Sequence, residues 1–152
     1  MKNPKLICET PVYKVMLIHD SNVPVPTKII RAPDDAAKIA SDYLRGADRE
    51  HFVGMYLNSA NRLISINTIS VGTLNSSLVH PREVFKLAYM VNAASVIAVH
   101  NHPSGNIEPS TEDISITKQL VEAGKILGIP IHDHIIVTDG DGYTSFAERG
   151  LI

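Results

Sequence analysis

The amino-acid sequence predicts an α/β domain built on a layered sheet, and two observations lead to this prediction. Segments with strand character alternate with segments of helical periodicity through most of the chain. The run Ala94–His100 is apolar and rich in β-branched residues, as buried central strands are. A length of 152 residues suits one hydrophobic core, so we expect a single domain over residues 1–152.

The first third of the chain is predicted to form an extension that precedes the core. Val12–Asp20 has strand character and is followed by a proline-marked loop. Ala32–Gly46 is predicted as a helix, because Pro33 and two acids occupy its first turn and a glycine ends it. We therefore expect an N-terminal strand and helix over residues 1–45, followed by a core over residues 46–152.

The core is predicted to alternate strand pairs with helices. Glu50–Asn58 and Arg62–Gly72 have strand character and are separated by a tight turn. His80–Asn92 is amphipathic and begins with a proline, which predicts a helix before the central strand. After that strand, Thr111–Gly128 is predicted as a helix that ends at its glycine. One or two closing strands are predicted over Pro130–Glu148.

Composition and charge argue against several classes of function. The net charge is −2 and the 14 Lys and Arg residues are scattered, so a basic surface for nucleic-acid phosphates is not expected. Aromatic residues make up only 5%, which leaves few platforms for base stacking. Cys8 is the one cysteine, which excludes an internal disulfide and a cysteine-based zinc finger. No run has the length and apolarity of a signal peptide or membrane span, so a cytoplasmic location without membrane contact is expected.

The stretch "VHNHPSGNIEPSTED", Val99 to Asp113, carries the strongest chemical signal. Alternate residues of a strand face the same side, so His100 and His102 can present both imidazoles to one point. They stand where a buried strand ends, and ligand sites in α/β sheets gather at such ends. Asp113 lies in the first turn of the next helix. Two imidazoles and one carboxylate suit Zn²⁺ and leave a fourth position for water, as a catalytic zinc requires.

A structural explanation competes for the acid of this set. Ser110 and Asp113 also fit the S-x-x-[DE] capping pattern, in which the serine caps a helix and the acid reaches back. Taken alone, that pattern favours a capping role for Asp113 over a ligand role. The sequence leaves both roles open.

The segment "HNHPSGNIEPSTED" resembles the His-x-His-x7-Ser-x2-Asp signature of the JAMM (MPN+) zinc metalloproteases. The wider stretch from Gly72 to Thr117, with "DHIIV" and "YTSFAERGLI" further on, resembles the RadC-like JAB branch of that group. The resemblance covers roughly residues 45–152. It implies a layered α-β-α domain with a mixed central sheet, the JAB/MPN or cytidine-deaminase-like architecture.

The same resemblance implies the chemistry of the site. Zn²⁺ would be held by His100, His102 and Asp113, with Glu50 as general acid/base and Ser110 stabilising the oxyanion. The implied reaction is hydrolysis of a peptide or isopeptide bond in a peptide or protein substrate. The sequence leaves the substrate and the oligomeric state open.

Other acids could compete with Glu50 for the role of general base. Without the resemblance, Glu50 would be interpreted as a solvated acid at the edge of a strand. Glu83 is a rival, but it stands in a helix's first turn, where an acid is expected because of the helix dipole. Glu108 and Glu112 flank the histidine loop and are expected to be exposed.

The second histidine cluster, "IHDHIIV", offers His132, Asp133 and His134. On a regular strand, His132 and His134 would share one face, opposite Asp133. We expect His134 or Asp133 to orient a zinc ligand rather than to build a second metal site, because ligand imidazoles usually need an acceptor behind them. His132 stands where RadC-like domains tend to have an apolar residue. His19, His51 and His80 lack partners at ligand spacing.

Two alternatives to a hydrolase remain at this point. RadC-like proteins are historically associated with DNA repair, but their longer members place a helix-hairpin-helix domain before this core, and this chain is too short to hold it. Nucleic-acid binding by this domain alone is therefore not expected. The fold also serves as a non-catalytic MPN-type binding scaffold where metal ligands are missing, whereas the expected ligand positions are filled here.

Overall fold

A computed structural model of the chain describes residues 9–72, 79–140 and 142–152. Cys8 and positions 73–78 of the RadC-like stretch lie outside the described residues. The predicted α/β class is confirmed, with three helices and five strands among the described residues. In chain order these are α1 (Pro33–Tyr43), β1 (His51–Leu57), β2 (Leu63–Val71), α2 (Pro81–Met90), β3 (Ser95–Asn101), α3 (Thr111–Leu127), β4 (Ile131–Val137) and β5 (Tyr143–Ser145).

The strands form one mixed sheet in the order β2-β1-β3-β4-β5. The β3 and β4 strands are parallel, with α3 as the crossover between them, and the other neighbours are antiparallel. Every residue of β3 is buried, as its β-branched run predicts. The end of β3 that carries the histidines therefore lies at the centre of the sheet.

Helices cover both faces of the sheet, which confirms the layered α-β-α arrangement. On one face, α1 packs against sheet residues such as Val53, Ile97 and Ile135. On the other face, α2 and α3 pack against residues such as Tyr56 and Ala98. None of the three helices in the described ranges combines the length and the apolar character that a bilayer crossing needs.

The N-terminal strand predicted at Val12–Asp20 is wrong. This segment is irregular, and its apolar side chains are exposed, from 52% at Leu17 to 96% at Val12. Strand-forming residues are stabilised by cross-strand packing and by burial. The apolar residues of this segment pair with no strand of the described residues and are not buried, so the segment does not form one. The helix after it is correct in type but shorter than predicted, because α1 ends at Tyr43 and the chain turns before the left-handed Gly46 (φ +76°).

Candidate metal centre

Three candidate ligands converge at the end of β3. The Nε2 atoms of His100 and His102 are 2.8 Å apart. The carboxylate of Asp113, from the first turn of α3, lies 3.2 Å from His100 Nε2 through Oδ1 and 3.5 Å from His102 Nε2 through Oδ2. Within the described residues, this is the one group of three His, Cys, Asp or Glu side chains whose ligand atoms lie close enough together to hold a metal ion. The structure therefore brings together the three residues that the sequence singles out.

The tautomer of His102 follows from its contact with the loop. Its Nδ1 lies 2.6 Å from the backbone oxygen of Asn106. A carbonyl oxygen can only accept, so Nδ1 of His102 carries the hydrogen of the neutral ring. The Nε2 atom of a neutral His102 therefore presents a lone pair to the centre of the cluster.

A buried relay fixes the tautomer of His100 in the same way. The hydroxyl of Thr117 donates to the backbone oxygen of Asp113 at 2.6 Å, so it accepts from Nδ1 of His134 at 2.5 Å. The Nε2 atom of His134 then accepts from Nδ1 of His100 at 2.7 Å. In this order every hydrogen of the relay has an acceptor. Because the neutral ring of His100 carries its one hydrogen on Nδ1, its Nε2 has none and presents a lone pair to the cluster.

The arrangement has a physical consequence for what can bind there. Two lone pairs 2.8 Å apart face a carboxylate, and a proton or a metal cation between them relieves their repulsion. Burial disfavours the charged form of Asp113, but the adjacent rings of His100 and His102, when they carry a proton on Nε2, outweigh it and hold the carboxyl's pKa well below its usual range. Two imidazole nitrogens and a carboxylate oxygen are a donor set that Zn²⁺ prefers, so the residues present fit the metal.

The competing capping role is also real, and it is compatible with ligation. Ser110 caps α3 by accepting from the Asp113 backbone N–H at 3.1 Å. The Ser110 backbone N–H and hydroxyl donate to Asp113 Oδ2 at 2.8 and 2.7 Å. The cap thus holds one carboxylate oxygen and aims Oδ1 at His100, so one residue serves both purposes.

Glu50 lies directly before β1 and is half-buried. The pairing of Phe52 with His100 in the antiparallel β1–β3 ladder brings the start of β1 beside the end of β3. The pKa of His102 is raised chiefly by the hydrogen bond to Asp113, and the negative charge of Glu50 contributes to the same shift. The register of β1 against β3 therefore places Glu50 at the same edge of the sheet as the cluster.

The other acids are engaged elsewhere or exposed. Glu83 binds Lys86 at 2.6 Å in the first turn of α2. Glu108 forms a bidentate pair with Arg149, at 2.7 and 2.9 Å, and Glu112 is exposed. The first of these pairs gives Glu83 a cationic partner on its own helix. The second pair ties the histidine loop to the C-terminal segment.

The residues of the second histidine cluster play three different parts. A bulge in β4 opposite Val96 and Ile97 leaves His132 exposed, whereas His134 is fully buried, so the expectation that they share a face is wrong. Asp133 is buried and accepts from Ser145 Oγ at 2.6 Å and from the Ala147 N–H at 3.0 Å. Of the three, His134 is the one that contacts a candidate ligand.

Sequence reasoning missed three residues at this site. Thr117 stands one helical turn after Asp113, and that i, i+4 spacing was the available signal for a shared face. Asn106 contributes only its backbone oxygen, which no side-chain pattern reveals. Asn101 lies between the two histidines, where no ligand spacing marks it, although it is 7% exposed and both the oxygen and the nitrogen of its amide form hydrogen bonds.

Removing the imidazole of His134 is expected to weaken zinc binding about 10–100-fold, the range typical of lost hydrogen-bond partners of metal ligands. In a His134→Leu variant, Nδ1 of His100 loses its acceptor, so the ring is no longer fixed in the ligating tautomer. Competition with a fluorescent chelator measures the affinity. His132→Leu is the matched control, since this exposed histidine of the same strand should leave affinity unchanged. Equal affinities for both variants would contradict the relay.

Two comparisons with known proteins show what this chain is similar to. The family of RadC-like JAB domains matches residues 30–151. A UPF0758 protein of Desulforamulus reducens is 53% identical over 131 residues, which cover 86% of this chain and 57% of the relative. A UPF0758 protein of Shouchella clausii is 55% identical over 123 residues, or 81% of this chain and 53% of the relative. The chain spans little more than half the length of these curated relatives, and it belongs to the family of RadC-like JAB domains.

Proposed function

We propose that this chain is a zinc-dependent hydrolase of the metallopeptidase or isopeptidase type. The observation that carries the proposal is the meeting of two imidazole lone pairs and one carboxylate oxygen, from His100, His102 and Asp113, at the end of the central strand. Membership of the RadC-like JAB family supports it. In this proposal the three side chains hold one Zn²⁺.

The protein's own residues would divide the proton transfers of hydrolysis between them. When bound, zinc lowers the pKa of a water molecule to about 7 and polarises a carbonyl oxygen. Glu50 then accepts the proton of the attacking water and returns it to the departing amine, a role worth roughly 10²–10⁴-fold in rate. The pairing of the start of β1 with the end of β3, which brings Glu50 to the same edge of the sheet as the histidines, supports this role.

In this proposal Ser110 stabilises the oxyanion by a hydrogen bond. For that role its hydroxyl must turn away from its present partner, Asp113. Its hydroxyl hydrogen points to Asp113 Oδ2 at 2.7 Å. Asp113 Oδ2 also accepts from the Ser110 backbone N–H at 2.8 Å, so the carboxylate keeps one partner if the hydroxyl turns away. Rotation of the hydroxyl would then supply a hydrogen bond to the developing oxyanion.

The substrate is proposed to be a peptide or protein, and the location the cytoplasm. A net charge of −2 and scattered basic residues favour this substrate class over nucleic acid for this domain alone. The chain spans about half the length of its curated relatives. Any activity of the whole protein is therefore also a proposal.

Metal removal tests the proposed reaction. The zinc-loaded chain is incubated with a pool of random-sequence peptides and, separately, with peptides acylated on a lysine side chain, and new amino groups are counted. We expect release from at least one pool, a drop of more than about 100-fold after treatment with a chelator, and recovery on adding Zn²⁺. Cleavage that survives metal removal would contradict the proposal. Zinc binding without cleavage of either pool would favour a binding scaffold.

A further inference from the structure

We propose that Asn101, the residue between the two histidines, is a positioning residue that fixes Glu50 against the metal centre. This inference rests on the proposed function, since it concerns the orientation of the general base. Asn101 is not itself a candidate ligand, because successive residues of a strand face opposite sides and its amide is turned away from His100 and His102. Its side chain instead reaches the neighbouring strand, at the start of β1.

The contacts of Asn101 bracket Glu50 on both sides. Its Oδ1 accepts from the backbone N–H of His51 at 2.7 Å, and its Nδ2 donates to the backbone oxygen of Arg49 at 3.0 Å. The backbone oxygen of Glu50 itself accepts from the Gly72 N–H at 2.8 Å. The peptide groups before and after Glu50 are therefore both held by the side chain of Asn101, the residue between the two histidines.

The chemistry of the amide explains why this position takes an asparagine. A single planar group must accept from one backbone group and donate to another, and an amide does both without charge. An aspartate could keep the bond to the N–H of His51 but could not donate to the Arg49 oxygen. A leucine of similar size could do neither. Because Asn101 is 93% buried, neither lost bond would be replaced freely by water.

This arrangement couples the metal ligands to the base through one short strand segment. His100 and His102 present the ligand atoms, and the residue between them sets the backbone from which the Glu50 carboxylate projects. Any shift of β1 along β3 would move Glu50 relative to the ligands, and the two bonds of Asn101 oppose that shift. Precise placement of a base matters because small displacements cost large factors in rate.

The test uses acetohydroxamate, which chelates zinc through its two oxygens and gives up a hydroxyl proton that a neighbouring carboxylate can hold. Its affinity reports on the placement of Glu50 without any knowledge of the natural substrate. The variants are Asn101→Leu and Asn101→Asp in the zinc-loaded chain. Asn58→Leu is the matched control, because Asn58 also holds backbone groups, the N–H of Ala60 and of Arg62 at 3.0 Å, but in the β1–β2 turn.

We expect Asn101→Leu to bind acetohydroxamate about 10-fold more weakly, the size of one lost hydrogen bond to a charged group. Zinc affinity, measured by chelator competition, should stay within about 3-fold, because the metal ligands are unchanged. Exchange of the His51 amide hydrogen, followed by NMR, should accelerate. The affinity of Asn101→Asp for acetohydroxamate should lie between those of Asn101→Leu and the wild type. This variant also provides the test if Asn101→Leu fails to fold. Asn58→Leu should match the wild type in ligand binding.

A double substitution separates positioning from a general structural effect. If Asn101 acts through Glu50, Asn101→Leu should cost no further acetohydroxamate affinity in a Glu50→Gln background. Additive losses, or wild-type affinity in Asn101→Leu, would overturn the positioning role. A wild-type chain that binds no zinc would instead overturn the proposed function, so the two failures can be told apart.

Discussion

Replacing Glu50 by glutamine is expected to lower the rate of hydrolysis by roughly 10²–10⁴-fold while zinc stays bound. The amide of glutamine has nearly the shape of the carboxylate but cannot take a proton from water at neutral pH. His100, His102 and Asp113 are untouched, so one zinc per chain should remain. The measurement pairs kcat/KM on a peptide substrate with the zinc content of the same preparation.

Glu83→Gln and Glu112→Gln are the controls for this experiment. Glu83 binds Lys86 on α2, and Glu112 is exposed on α3, so neither substitution should change the rate by more than a small factor. A Glu50→Gln variant with wild-type activity would show that the base lies elsewhere. A comparable loss in Glu83→Gln would revive the rival acid.

Replacing Asp113 by asparagine is expected to weaken zinc binding by more than about 100-fold, beyond the range of an outer hydrogen-bond partner. The variant loses the charge that attracts the cation. The side-chain oxygen of asparagine can still accept from the Ser110 N–H, so the cap of α3 should largely survive. Chelator competition and thermal unfolding of the metal-free chain measure the two effects.

Ser110→Ala separates capping from ligation. It removes the serine's cap on the Asp113 N–H, which should cost about 1 kcal/mol of unfolding free energy, but it leaves Asp113 Oδ1 free to bind metal. Zinc affinity should therefore fall much less in Ser110→Ala than in Asp113→Asn. Wild-type zinc affinity in Asp113→Asn would mean that this carboxylate serves only the helix.

The parts of the site that could be predicted from sequence are those encoded by local spacing. The buried run of β3 predicts a central strand, and its two-residue period predicts that His100 and His102 face one point. The capping pattern predicts where α3 begins, which places Asp113 in its first turn. Each of these rests on neighbours in the chain, so the pattern is visible without the fold.

The parts that could not be predicted depend on contacts between distant elements. The relay through His134 joins β3, β4 and the first turns of α3, and only the folded sheet places His134 Nε2 beside His100. The bulge that exposes His132 follows from the pairing of β4 with β3, which the alternation within β4 does not encode. The strand predicted at Val12–Asp20 failed for the same reason, because a strand needs a partner that its own residues do not specify.

The most direct test of the account is an anomalous-scattering map, recorded at the zinc absorption edge from crystals of the zinc-loaded chain. We expect one peak per chain, within about 2.0–2.2 Å of Nε2 of His100, Nε2 of His102 and Oδ1 of Asp113. A map without a peak at this place, or with its peak at other side chains, would contradict the claim that these three residues form a zinc centre.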